Sequence, residues 1–87
     1  MNRMKTMRSM TDEGLLRAYA QTKSEAAFAE LAGRHLNWVY STACRIMRDP
    51  HLAEDVTQSV FVLLARKATS LNSGVVLGGW LFRTTRF

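Results

Sequence analysis

His51–Ala68, HLAEDVTQSVFVLLARKA, carries an apolar run from Val60 to Ala65 behind two acids, Glu54 and Asp55, and an amide, Gln58. At about 100° per residue the segment reads as one helix with more apolar surface than a single face needs. Leu52, Val56, Val60, Leu63 and Leu64 project within about a third of the circumference and form the expected core stripe. Glu54, Gln58, Phe61 and Ala65 line the opposite side, flanked by Asp55, Val62 and Arg66. Two readings of that side stand open. It is a docking face, with Phe61 as an apolar anchor among polar neighbours. Or the first helix covers Phe61, and Glu54 and Asp55 answer the helix dipole.

Working outward, Asp49-Pro50 marks the start of this helix, because proline suits the first helical position and aspartate caps the turn before it. Ser24 caps the preceding helix, which runs to about Met47. Its broad apolar side holds Phe28, Leu31, Ala32, His35, Leu36, Trp38, Val39, Tyr40, Ala43, Ile46 and Met47. Trp38 and Tyr40 read as core or core-edge aromatics, and His35 as a hydrogen-bonded core histidine. Asp12 caps a short first helix with Leu15, Leu16 and Tyr19 as its apolar side. Downstream, the third helix continues to about Thr69. Ser70, Asn72, Ser73 and Gly74 then make a loop, and Gly78-Gly79 adds a second flexible point. A last helix begins near Gly79 or Trp80. Leu77, Trp80, Leu81 and Thr84 share one side there, and Arg83 and Arg86 point away from it. The expected fold class is all-α, a small bundle of about four helices, formed by residues 11–87 behind a flexible basic tail of residues 1–10.

Composition narrows the function. With 47% hydrophobic and 22% charged residues, the chain reads as one small globular domain. The single cysteine, Cys44, leaves no intrachain disulfide and suits a reducing compartment. The start, MNRMKTMRSM, has Arg3, Lys5 and Arg8 but no apolar core of a signal peptide, and no run is long enough to span a bilayer. A cytoplasmic protein without membrane insertion is expected. A Gly-rich phosphate loop, a nucleophile elbow and a paired catalytic carboxylate motif are all missing, so neither an enzyme nor a cofactor is expected. His51, Glu54 and Asp55 have helical spacing for a metal, but no further histidine or cysteine supports one. All seven acids lie between Asp12 and Asp55, and beyond them come only Arg66, Lys67, Arg83 and Arg86. A basic end on a chain of net charge +5 points to a polyanion, nucleic acid first.

DPHLAEDVTQSVFVLLARKA, followed by a short loop and GGWLFRTTRF, resembles the extracytoplasmic-function (ECF) sigma factors of bacterial RNA polymerase, in their first conserved (region two) domain. SEAAFAELAGRHLNWVYSTACRIMRD is similar to the earlier part of that domain, so the resemblance covers roughly Asp12 to Phe87. Its specificity lies in the combination of AED-x-TQ-x-VF after a D-P helix start with GWL-x-R-x-x-R.

The resemblance implies an all-helical transcription initiation module. Such a module docks on the clamp helices of the polymerase β′ subunit and recognises and opens the promoter −10 element. By position it implies polymerase binding by Glu54, Asp55, Gln58 and Phe61, with Asp55 and Gln58 in direct polar contact and Phe61 in apolar contact or support. It implies that the loop from Ser70 to Gly78 receives a base flipped from the non-template strand, with Asn72 and Ser73 as donors and acceptors. Arg83 and Arg86 become phosphate contacts, which position promoter DNA without specifying it. An anti-sigma factor is a further candidate partner. The chain stops inside the family's promoter-reading helix, with no linker and no second helix-turn-helix domain. It is therefore expected to be one domain of a two-domain factor, or a truncated product. The alternative function is a protein-interaction stub that binds polymerase or an anti-sigma factor without productive promoter recognition.

Overall fold

A computed structural model describes residues 7–71 and 76–86, and the described residues contain helices and no strand. The elements are α1 (Asp12–Thr22), α2 (Glu25–Met47), α3 (Pro50–Leu71) and α4 (Leu77–Arg86). The all-α bundle expected from the periodicity is the observed fold.

Local chemistry sets each boundary. Ser24 accepts a hydrogen bond from the Ala27 amide at 3.2 Å and opens α2. The Asp49 carboxylate accepts from the amides of His51 (2.9 Å) and Leu52 (3.3 Å), and Pro50 takes the first position of α3. The cap of α1 is Thr11 rather than Asp12: the Thr11 hydroxyl accepts from the Gly14 amide at 3.0 Å. Asp12 is thereby free for longer-range pairing. α1 and α2 both end on a left-handed residue, Lys23 (φ 56°) and Arg48 (φ 57°), where glycine is the usual occupant. α4 starts at Leu77, so Gly78 and Gly79 lie inside its first turn and are not a flexible point.

α2 packs against all three other helices. Leu15, Leu16, Leu31, Val39, Leu64 and Leu81 are the largest fully buried side chains, each worth roughly 1.5–3 kcal/mol of burial. The broad apolar side expected of α2 is narrower in the fold. Ala27, Leu31, Val39, Thr42 and Ala43 are buried, and Leu36, Ile46 and Met47 remain exposed.

The larger correction concerns α3. Its buried residues are Ala53, Thr57, Val60, Phe61, Leu64 and Ala68. Relative to the expected stripe the helix is turned by roughly a quarter of its circumference, with only Val60 and Leu64 in common. Leu52 is 46% exposed, and Val56 and Leu63 are half-buried. The cause is size. Small residues sit where helices approach closely, and Thr57 satisfies its hydroxyl on the Ala53 carbonyl at 2.7 Å, so it enters the core without an unmet hydrogen bond.

Candidate functional site

The exposed side of α3 comes first. Glu54, Asp55 and Gln58 are all exposed, as the docking-face reading requires. Among the described residues none of the three makes an ion pair within 4.0 Å or a hydrogen bond through its side chain. The first turn of α3 contains no acid, so Glu54 and Asp55 lie past the reach of the helix N-terminal dipole. Their presence on this face is not explained by helix capping.

Phe61 was expected on the same face, and that placement is wrong. It is 9% exposed and belongs to the core cluster with Leu31, Val60 and Leu64. Its outer edge meets a groove of about 470 Å³ between α2 and α3, beside Phe28, Ala32, Leu36 and Gln58. The most exposed large apolar side chain of α3 is Val62, at 53%, with Leu52 exposed as well near the start of the helix. Val62 stands one turn beyond Gln58 and two turns beyond Asp55. Periodicity alone placed it only at the flank, because the quarter-turn rotation was not visible.

The neighbours Glu54 and Asp55 serve opposite flanks. Glu54 lies near α2: the Tyr40 phenol is pushed above its ordinary range, first by its hydrogen bond with Cys44 and that group's charge, then by burial and the charge of Glu54. Asp55 lines a second, larger groove of about 770 Å³ between the end of α2, α3 and α4. Its apolar lining includes Ile46, Met47, Leu52, Val56, Leu63 and Trp80. Arg83 and Arg86 line the same groove. Both arginines are exposed, in the last turn of α4, while Leu77, Leu81 and Thr85 anchor that helix. Trp80 is half-buried against the core, a packing residue as expected. The Arg86 guanidinium rests 5.4 Å from the Phe82 ring centroid. Asn72 and Ser73, the expected base-pocket residues, lie outside the described residues.

A polar network closes the opposite end. Asp12 accepts from Arg34 Nη1 at 3.2 Å and meets His35 Nε2 at 2.7 Å. Trp38 donates its indole N–H to His35 Nδ1 at 2.9 Å, which places the imidazole proton on Nε2, facing Asp12. His35 is a hydrogen-bonded structural histidine, in line with the expectation. Arg34 also holds Glu30 at 3.0 Å and donates to the carbonyls of Met7 (3.3 Å) and Arg8 (3.0 Å). The segment from Met7 to Met10 is therefore packed on the bundle, with both methionines against the core, rather than part of a free tail. Among the described residues no group of three or more His, Cys, Asp or Glu is arranged to hold a metal ion. No helix among them is long and apolar enough to cross a membrane.

A family model described as Sigma-70 region 2 matches residues 31–87, more than half of the chain. The matched span includes α3, α4, most of α2, the larger groove and all of the smaller groove's lining except Phe28, and leaves out α1. Neither the curated proteins nor the solved structures contain a match to the chain.

Proposed function

The chain belongs to the sigma-70 region 2 family, and on that premise we propose that it works as an ECF-type initiation domain that docks on the β′ clamp helices and engages the promoter −10 element. Region 2 domains bind RNA polymerase and take part in promoter melting, and they are not enzymes. The observation that carries the finer reading is the outer face of α3, where Glu54, Asp55 and Gln58 are exposed and have no hydrogen-bond or ion-pair partner for their side chains among the described residues. Polar groups on one helix face beside an exposed valine match what a partner helix needs: hydrogen bonds for register and an apolar seat for affinity.

In this reading Asp55 and Gln58 make the direct polar contacts, and Glu54 extends the face toward α2. Phe61 supports the face from beneath, which leaves Val62 as its exposed apolar contact. Arg83 and Arg86, exposed on α4, hold backbone phosphates of the promoter, and the loop carrying Asn72 and Ser73 takes the flipped base. An anti-sigma factor would compete for the same α3 face.

The test is a titration of the β′ clamp-helix fragment against wild type and the Asp55→Ala/Gln58→Ala double variant. Loss of these contacts should weaken binding by about 1–3 kcal/mol, roughly tenfold to a hundredfold, with thermal stability unchanged. Equal affinities would remove this face from the docking account. Docking without any affinity for −10 DNA would favour the interaction-stub reading instead.

A further inference from the structure

α4 is fixed to the bundle by Leu77, Leu81 and Thr85, which leaves Phe82 and the two arginines on its outer surface. Phe82 is 43% exposed, is not packed against the core cluster and lines neither groove. Burial therefore does not account for a phenylalanine at this position. What it does meet is Arg86, one turn further on, whose guanidinium carbon lies 5.4 Å from the ring centroid. That distance is within the range of a cation–π interaction. The spacing brings the contact about, because a helical side chain leans back over the turn that precedes its own Cα. Arg83 leans back in the same way, but over Gly79. A Cβ on Gly79 would lie 3.4 Å from Arg83 Nη1. Arg86 thus rests on a ring, and Arg83 on a residue with no side chain.

We propose that Phe82 is a positioning residue for phosphate binding: its ring holds the Arg86 guanidinium in the place where it meets the DNA backbone. The inference rests on the functional reading above, in which Arg86 contacts phosphate. Among the described residues neither arginine makes an ion pair within 4.0 Å. A carboxylate in place of the ring would also hold Arg86, but it would cancel the charge and occupy the N–H donors. An aromatic face offers no such acceptor, so charge and donors stay available to a ligand. The gain is entropic. A free exposed arginine loses much rotamer freedom when it docks, and one already held has less to lose. Phe82 itself adds no charge and touches no phosphate.

The experiment is fluorescence anisotropy of the 87-residue chain on a labelled single-stranded oligothymidine across a salt series. Phe82→Leu keeps apolar bulk and removes the ring. It should weaken binding by about twofold to fivefold, the change that an exposed cation–π contact supports. Its salt slope should match the wild type, because no charge is lost, whereas Arg86→Ala should reduce the slope by about one unit. Phe82→Tyr keeps the ring and should bind like the wild type. The Phe82→Leu loss should remain in an Arg83→Ala background and vanish in an Arg86→Ala background. Positioning is refuted by unchanged affinity in Phe82→Leu or by an equal loss in Phe82→Tyr. It is refuted too by a loss that persists without Arg86, which would make the ring either a DNA contact or a support of α4 as a whole. A distinct outcome is that Arg86→Ala leaves affinity unchanged, or that the wild type does not bind at the lowest salt. Either result overturns the assignment of Arg86 to phosphate, and the role of Phe82 falls with it.

Discussion

Phe61→Ala is the substitution that most directly tests how α3 sits on the bundle. The helical periodicity favours Leu63 as the core residue and Phe61 as the outer one, whereas the fold reverses them. Truncation of a buried phenylalanine costs about 3–5 kcal/mol, the lost transfer energy plus a cavity that relaxes only partly. Phe61 borders an open groove, so water and the flexible side chain of Leu36 can fill part of the gap, and the expected cost lies near the lower end, about 3 kcal/mol. Leu63 is half-buried, with its outer part already facing the larger groove. Its truncation should cost about 1–2 kcal/mol, since less area returns to water. For a domain of this size each kcal/mol moves the midpoint by roughly 4–8 °C, so the two variants should be separated by several degrees in a thermal melt. Total stability is of the order of 5–15 kcal/mol, so Phe61→Ala threatens the fold itself. Phe61→Leu, with a loss nearer 1 kcal/mol, keeps the comparison measurable. If Leu63→Ala is the more damaging of the two, α3 is rotated relative to the structure described here.

The other expectations follow from single contacts. Arg34→Ala removes the tie to Asp12, Glu30 and the Met7 and Arg8 carbonyls, and should cost about 1–2 kcal/mol after allowance for its partial exposure. Hydrogen exchange should then speed up at residues 7–10 while the α3 amides keep their protection; unchanged exchange at residues 7–10 would mean that the methionines alone hold the turn. Arg48→Gly relieves a left-handed side-chain conformation and should raise stability by about 0.5–1 kcal/mol in a urea melt, net of the added freedom of the unfolded chain. A loss of stability there would show that the Arg48 side chain makes a contact of its own. Arg83→Ala and Arg86→Ala should each lower DNA affinity for all sequences alike and reduce the salt slope by about one unit, whereas substitutions at Asn72 or Ser73 should change which base is preferred. The opposite pattern, with base preference following Arg83, would exchange the roles of helix and loop.

Helix boundaries were legible where one short polar side chain was the single competent cap. Ser24 and the Asp49-Pro50 pair marked the starts of α2 and α3 without tertiary information. The start of α1 was off by one residue because Thr11 and Asp12 are both competent caps. Only the tertiary partners Arg34 and His35 explain why the carboxylate is used elsewhere. The rotation of α3 was not legible for a related reason. A hydrophobic count weights Leu52 and Leu63 above Ala53, Thr57 and Ala68, yet close packing selects the small residues. The exposure of Asp55 and Gln58 survived this error because they lie further round the polar arc than Phe61, and Glu54, which shares the Phe61 edge, is exposed in the fold all the same. The exposure expected of Phe61 did not survive it, because it lies at the border where a quarter turn decides burial. The grouping of Asp55 with Arg83 and Arg86 was beyond reach, since it joins residues 28 and 31 positions apart through a groove that no local pattern encodes.

The small residues under α3 also set a length. Ala53 and Ala68 are buried near its two ends, with Thr57 between them, so small side chains govern how closely the ends of α3 approach their neighbours. They act as shims of minimum height beneath the presented face. A larger side chain at Ala53, such as valine, would lift one end of α3 and tilt the platform that carries Asp55, Gln58 and Val62. The distance between that platform and the arginines of α4 would change without alteration of any group on either surface. The spacing of the two surfaces thus rests on residues buried beneath α3.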